Sequence, residues 1–179
     1  MSAIMQKPIT VCTVLTLSIL SAALSEPVQA EKSASEHDSR SQGIWEAPDV
    51  TLFDGKKQAV SLQAYHGKTV LAAAWSSWCG VCLQEFDTIR TLSEKHGADE
   101  LTVLAVNMTK GETSMAAARQ FLEGKNAPFP ILYDLDGAFQ KKFGVHQVPT
   151  IFLIDSFGHV IHTFSGEATA EEIENWIPQ

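Results

Sequence analysis

The sequence predicts a mixed α/β domain, a central β-sheet flanked by helices on both faces, with an N-terminal β-hairpin. Three observations carry this. Thr69–Trp75 ("TVLAAAW") and Leu101–Asn107 ("LTVLAVN") are short apolar runs of the kind found in strands buried on both faces. Each is followed by a segment of helical periodicity. The chain then closes with two strand-like runs around a Ser-Phe-Gly turn, and a tight turn joins antiparallel neighbours. Strand–helix–strand units need right-handed parallel crossovers, so the first half contributes parallel strands and the last part antiparallel ones.

Taken in order, "VTLF", Asp54-Gly55 and "QAVSL" read as a hairpin in which Asp-Gly supplies the turn. Thr69–Trp75 is the first buried strand. From Cys79 or Gly80 to His96, Cys82, Phe86, Ile89 and Leu92 recur at helical spacing, and Gly97 stops the helix. After the second buried strand, Ser114–Glu123 is helical, with Met115, Ala118, Phe121 and Leu122 on one face. "FPILYD" allows a short strand and Ala138–Phe143 a short helix. Thr150–Asp155 and His159–Ser165 are the closing strands. Ala170–Ile177 is a last helix that buries Ile173, Trp176 and Ile177. Trp75, Phe139 and Phe143 read as core, His146 as a surface residue. Asp134–Gly137 ("DLDG") lacks the remaining ligands of a calcium loop.

The N-terminus has a different character. Lys7 precedes a charge-free run from Ile9 to Leu24, and Val28-Gln29-Ala30 offers a small residue at a cleavage point. Residues 1–30 therefore read as a secretory signal peptide. The run is short of the ~20 apolar residues of a membrane span, which makes a retained N-terminal anchor the alternative. A lipid on Cys12 is disfavoured by Val11 before it. Residues 31–44 are polar and small, a flexible linker, and the domain is expected over 45–179. The chain has 179 residues, a net charge of −8 and 45% hydrophobic residues. That is a globular composition, and its charge excludes nucleic acid, whose phosphates need Lys and Arg.

Of the three cysteines, Cys12 would leave with the signal peptide, so the exported chain keeps Cys79 and Cys82. The Cys-x-x-Cys spacing places Cys79 in the first turn of a helix, where unpaired N–H groups favour a thiolate. Cys82 lies three residues on, on the same face and deeper. Such a pair can make and break one S–S bond with little backbone movement. As a plain staple it would close a loop too small to remove much chain entropy. Structural zinc needs four ligands, and six scattered His with no His-x-x-x-His do not complete a set. A dithiol copper site assisted by a His remains an alternative.

"WSSWCGVC" with a distant "VPT" resembles the thioredoxin superfamily. "APDVTLFDGKKQAVSLQAYHGKTVLAAAWSSWC", "CLQEF" and "FGVHQVPTIFLIDSFGHV" extend the likeness to the ResA/TlpA-like exported thiol–disulfide oxidoreductases, over roughly Ala47 to the C-terminus. The resemblance implies a thioredoxin-like fold and a redoxin domain. It implies that Cys79 and Cys82 are catalytic, with Glu85 of Cys-x-x-Cys-x-x-Glu taking the buried thiol's proton. It also implies that Pro149 is a cis-proline facing the disulfide, that Val148 pairs with an extended substrate segment, and that Trp78 flanks the site. A redox-active disulfide would be the only redox group, with no cofactor and no metal. Protein thiols and disulfides would be the substrates, with a membrane electron donor behind a monomeric reductase. The location would be periplasmic or otherwise extracytoplasmic, and cytochrome c maturation is one role in the family.

Several residues depart from the family pattern. Ala73 stands where thioredoxin has a buried Asp, so Glu85 would have to replace it. Asp87 occupies a position where a Pro often kinks the active-site helix. Gly80-Val81 is neither the Gly-Pro of thioredoxin nor the Glu-Pro common in ResA, and that dipeptide helps set redox poise. A thiol peroxidase would need Thr and Arg around the nucleophile, yet the Arg residues past the linker are Arg90 and Arg119, both away from the motif in sequence.

Overall fold

The computed structural model describes residues 43–178. The predicted signal peptide and nearly all of the predicted linker lie outside the described residues. The strands are β1 (Trp45–Glu46), β2 (Thr51–Phe53), β3 (Ala59–Ser61), β4 (Val70–Trp75), β5 (Thr102–Asn107), β6 (Ile131–Tyr133), β7 (Thr150–Ile154) and β8 (His159–Ser165). The helices are α1 (Cys82–Glu100), α2 (Met115–Leu122), α3 (Ala138–Phe143) and α4 (Ala170–Glu174). The sheet is eight-stranded in the order β1-β8-β7-β4-β5-β6-β2-β3. β4, β5 and β6 are parallel, and β7, β8 and the β2–β3 hairpin run antiparallel to their neighbours. This is the mixed thioredoxin-like sheet that the sequence predicts.

β4 lies between β5 and β7, which explains its unbroken apolar run. Leu71, Ala73 and Trp75 point into one core cluster, with Phe86, Ile89 and Leu92 of α1 and Ile173 of α4. Val70, Ala72 and Ala74 point into the other, with Phe139 and Phe143 of α3. Successive residues of a strand face opposite sides, so helices cover both faces. Trp75 stacks on Phe121 at 4.9 Å and meets Phe86 edge-on at 5.3 Å, which anchors the strand end that leads to Cys79.

Four local expectations change. The hairpin turn is set by the Asp54 side chain, which accepts from the N–H groups of Lys56 and Gln58 at 2.8 Å, and the positive φ falls on Lys57 rather than on Gly55. A short edge strand, β1, pairs Trp45 with Val160, and two residues are too few to leave a pattern. At Gly97 (φ 67°) α1 breaks, but one more turn follows, to Glu100. Trp176 is 48% exposed and stacks on His162 at 3.9 Å. The chain tightens after α4 through bonds from Trp176 N to Ile173 O and from Ile177 N to Glu174 O. This turns Trp176 out of the stripe and leaves Ile173 and Ile177 buried.

α4 begins with a capping box. Thr169 Oγ1 accepts from Glu172 N at 3.2 Å, and the Glu172 carboxylate accepts from Thr169 N at 2.8 Å. Replacing Thr169 with Ala should lower unfolding stability by about 1 kcal/mol. A shift in the urea midpoint with an unchanged slope would show it. An unchanged midpoint would mean that Ile173 packing alone holds this short helix.

Candidate active site

The site is built where β4 ends and α1 begins. Ser76, Ser77 and Trp78 form the turn between them, closed by a bond from Cys79 N to Ser76 O at 3.1 Å. Spacing predicts Cys79 in the first helical turn, but regular α-helix starts at Cys82. The intervening residues make tighter i→i+3 bonds, from Cys82 N to Cys79 O and from Leu83 N to Gly80 O. Cys79 thus stands just in front of the helix. Its sulfur accepts from the Cys82 N–H at 3.2 Å, in the manner of a capping side chain. This end of the helix has no other side-chain cap.

Cys79 and Cys82 form a disulfide with a Cα–Cα separation of 5.3 Å. Cys79 is 5% exposed and Cys82 fully buried, so Cys79 is the sulfur nearer solvent. Exposed Trp78, Val81 and Leu83 flank the pair with apolar surface. Cys79 Sγ lies 3.6 Å from the Val148 carbonyl oxygen. The Val148–Pro149 bond is cis, and Pro149 is buried. The ladder of β7 begins at Thr150, paired with Ala74 and Ser165, which leaves Val148 outside the sheet. Residues far apart in sequence, Cys79, Val148 and Pro149, are therefore neighbours here, with Trp78 at the rim.

Glu85 sits one turn past Cys82 and is 2% exposed. Residues at i and i+3 share a helix face, so its carboxyl is on the side of the buried sulfur. Oε2 is 3.5 Å from the Ala168 N–H, and Oε1 has no hydrogen-bond partner among the described residues. Burial pushes its pKa up to about 7, with a smaller contribution from the Glu167 charge and a partly offsetting one from the Ala168 N–H. A carboxyl group of this kind can take or give a proton near neutral pH. Ala73 lies in the same apolar cluster as Cys82 and brings no carboxyl to it, whereas Glu85 is a buried carboxyl one helical turn from Cys82. Asp87 is exposed and pairs with Arg90 at 2.7 Å, on the surface and away from the sulfurs.

A second carboxylate, which the sequence reading does not single out, touches the same turn. Glu112 Oε1 accepts from Ser77 N at 2.7 Å and from Asn107 Nδ2 at 2.6 Å. Its Oε2 accepts from the Ser77 hydroxyl. Trp78 Nε1 donates to Gly111 O at 2.9 Å. The available signal was Asn107, an amide at the end of a fully buried strand, which has to find partners.

Asp134 also has a local role. Its carboxylate caps the start of α3 by accepting from Phe139 N and Gln140 N, at 3.0 and 2.9 Å. His146 is on the surface. Among the described residues, no group of three or more His, Cys, Asp or Glu is arranged to hold a metal ion.

Comparison with known proteins gives a consistent picture. The model of the Redoxin family matches residues 45–177. The thioredoxin-like protein YneN of Bacillus subtilis (strain 168) is 35% identical over 129 residues, 72% of this chain and 75% of that protein. The thiol-disulfide oxidoreductase ResA of Bacillus thuringiensis subsp. konkukian is 31% identical over 132 residues, 74% of this chain and 75% of that protein. Among solved structures, a putative thiol:disulfide interchange protein DsbE from Chlorobium tepidum superposes with a TM-score of 0.66 at 32% identity. It covers 74% of this chain and 92% of its own.

Proposed function

From a chain that belongs to the redoxin family, within the ResA/TlpA-like branch of the thioredoxin superfamily, we infer an exported reductase of protein disulfides. The activity class is thiol–disulfide oxidoreductase, of the ResA/DsbE type. The observation that carries the finer reading is the Cys79–Cys82 disulfide at the open end of α1, beside the unladdered Val148.

In this reading, the Cys79 thiolate attacks a substrate disulfide, forms a mixed disulfide and releases one substrate thiol. The open helix end and the Cys82 N–H favour the thiolate before it attacks. Glu85 takes the Cys82 proton, and the Cys82 sulfur attacks Cys79 Sγ. The second substrate thiol leaves, and the protein holds the Cys79–Cys82 disulfide. The substrate disulfide has gained two electrons and the dithiol has lost them. Val148 offers its backbone to an extended substrate segment, which is recognition by strand addition. Pro149 shapes the floor, and Trp78 with Val81 supplies apolar contact. No cofactor enters the scheme. The working form is a monomer outside the cytoplasm, either released from residues 1–30 or anchored by them, and a membrane protein re-reduces it.

The test is the equilibrium of the Cys79–Cys82 pair with glutathione or dithiothreitol. A potential near that of thioredoxin, roughly −270 mV, is the expected result and fits a reductase fed from across a membrane. A value near roughly −120 mV would make the protein an oxidant and overturn the direction.

A further inference from the structure

The active-site turn contains little that would stiffen it from within. Gly80 has open space where a side chain would be, and neither Val81 nor Asp87 carries a ring that would restrain the backbone. In the oxidised protein the S–S bond holds Cys79 in place. In the reduced protein that bond is absent, and a glycine-containing turn is free to spread over many conformations.

We propose that Glu112 is the positioning residue that keeps this turn in place when the disulfide is open. This deepens the function proposed above and rests on it. One half-buried carboxylate takes three hydrogen bonds, two from Ser77 and one from Asn107. Asn107 is itself fixed. It is fully buried, lies beside Trp75 in the parallel ladder and accepts from Thr109 Oγ1 at 3.1 Å. The clamp therefore ties the turn to β5, the rigid neighbour of the strand that delivers Cys79. The Trp78 indole adds a second tie to the same Thr109–Gly111 segment. With Ser77 and Trp78 both held, Cys79 keeps its place before α1 and beside Val148.

The consequence is chemical. Closing the disulfide is an intramolecular reaction, and its equilibrium depends on how well the two sulfurs are kept in register. Without the clamp, Cys79 explores more of the reduced ensemble. Ring closure becomes less favourable, and fewer encounters present the sulfur to a substrate.

The experiment uses the full chain and compares Glu112→Ala with Glu112→Gln. The amide is isosteric. Its oxygen can accept from Ser77 N and Asn107, and its NH2 can donate to the Ser77 hydroxyl. Three quantities are measured well below the unfolding midpoint: the equilibrium constant for disulfide formation against glutathione, kcat/KM for a peptide disulfide, and the midpoint itself. Glu112→Ala should lower the equilibrium constant and kcat/KM about tenfold each, while Glu112→Gln stays within about twofold of the parent. Two outcomes overturn the proposal. Either Glu112→Ala loses only thermal stability, which makes the clamp a plain strut, or Glu112→Gln falls as far as Ala, which makes charge the cause. Should Glu112→Ala not fold, Ser77→Ala removes one of the three bonds and should lower the equilibrium constant about threefold, and no change there overturns the idea as well. A parent protein that reduces no peptide disulfide would sink the proposed function instead, because the glutathione equilibrium reads the clamp without a substrate.

Discussion

Cys79→Ser is expected to abolish disulfide reduction, lowering kcat/KM by at least about a thousandfold, whereas Cys82→Ser should trap substrate as a stable mixed disulfide. The two sulfurs are unequal in ways that assign these roles. Cys79 is the one nearer solvent, 3.6 Å from the Val148 carbonyl and in front of the open end of α1. A substrate disulfide laid along Val148 meets Cys79 first. Cys82 is fully buried in the apolar cluster with Ala73 and Phe86. It reaches Cys79 and nothing outside, so its loss removes the second step and leaves the first. Mass spectrometry after non-reducing electrophoresis would identify the adduct on Cys79. An adduct on Cys82 in the Cys79→Ser protein, or equal activity of both variants, would reverse the assignment. Both cysteines are small and already in the core, so serine alters packing little. It does bury a hydroxyl at position 82, which costs about 1–3 kcal/mol if left unpaired. The unfolding midpoint of each variant therefore has to accompany its activity.

How much of this was readable in the sequence depends on the range of the interaction involved. β4 and β5 announce themselves because each is buried on both faces, which forces an unbroken apolar run. α1 announces itself through Phe86, Ile89 and Leu92. The missed β1 has two residues, and only the free edge of β8 makes it a strand. Trp176 departs from the expected stripe because regular helical spacing ends at Glu174, where the chain tightens. At the hairpin turn the Asp54 side chain, and not Gly55, does the organising, which the Asp-Gly pair alone does not reveal. The same division runs through the site. Cys79, Cys82 and Glu85 share a local spacing on one helix. The neighbours of Glu85, Ala168 and Glu167, lie more than eighty residues away, where no periodicity reaches. Glu112 belongs to this second group. It follows a buried strand after a short turn, and its partner Ser77, beside the motif, lies 35 residues before it in the chain. Val148 and Pro149 reached the sequence reading through family likeness alone, since a Pro at the start of a strand is ordinary.

Glu85→Gln should change both the pH dependence of stability and the pH dependence of catalysis, in opposite senses. For stability, Glu85 titrates near its ordinary value in the unfolded chain and near 7 in the folded one. Between those values the native state holds a proton that the unfolded state has released, so the native state loses ground as pH rises through this window. Below it the effect is absent, and above about pH 7 it is complete. The carboxylate is then charged, buried and poorly paired. A shift of this size corresponds to about 3 kcal/mol. Gln cannot ionise, so urea unfolding of the oxidised proteins should show the variant gaining on the parent by that amount between pH 4 and pH 8. Parallel stability curves would show that Glu85 is not perturbed in this way. For catalysis the same ionisation is useful. Above pH 7 the carboxylate can accept the Cys82 proton and release a thiolate onto Cys79 Sγ. Without it, Cys82 depends on hydroxide from solvent, which a fully buried residue meets rarely. Resolution of the mixed disulfide at neutral pH should then slow by about 10²–10³-fold, with partial recovery as pH is raised. An unchanged resolution rate in Glu85→Gln, alongside the expected stability gain, would leave Glu85 as a buried acid that weakens the fold and does no chemistry. A gain in stability on Glu85→Gln together with stalled exchange is the result expected if the buried carboxyl serves Cys82 at the cost of native stability at neutral pH.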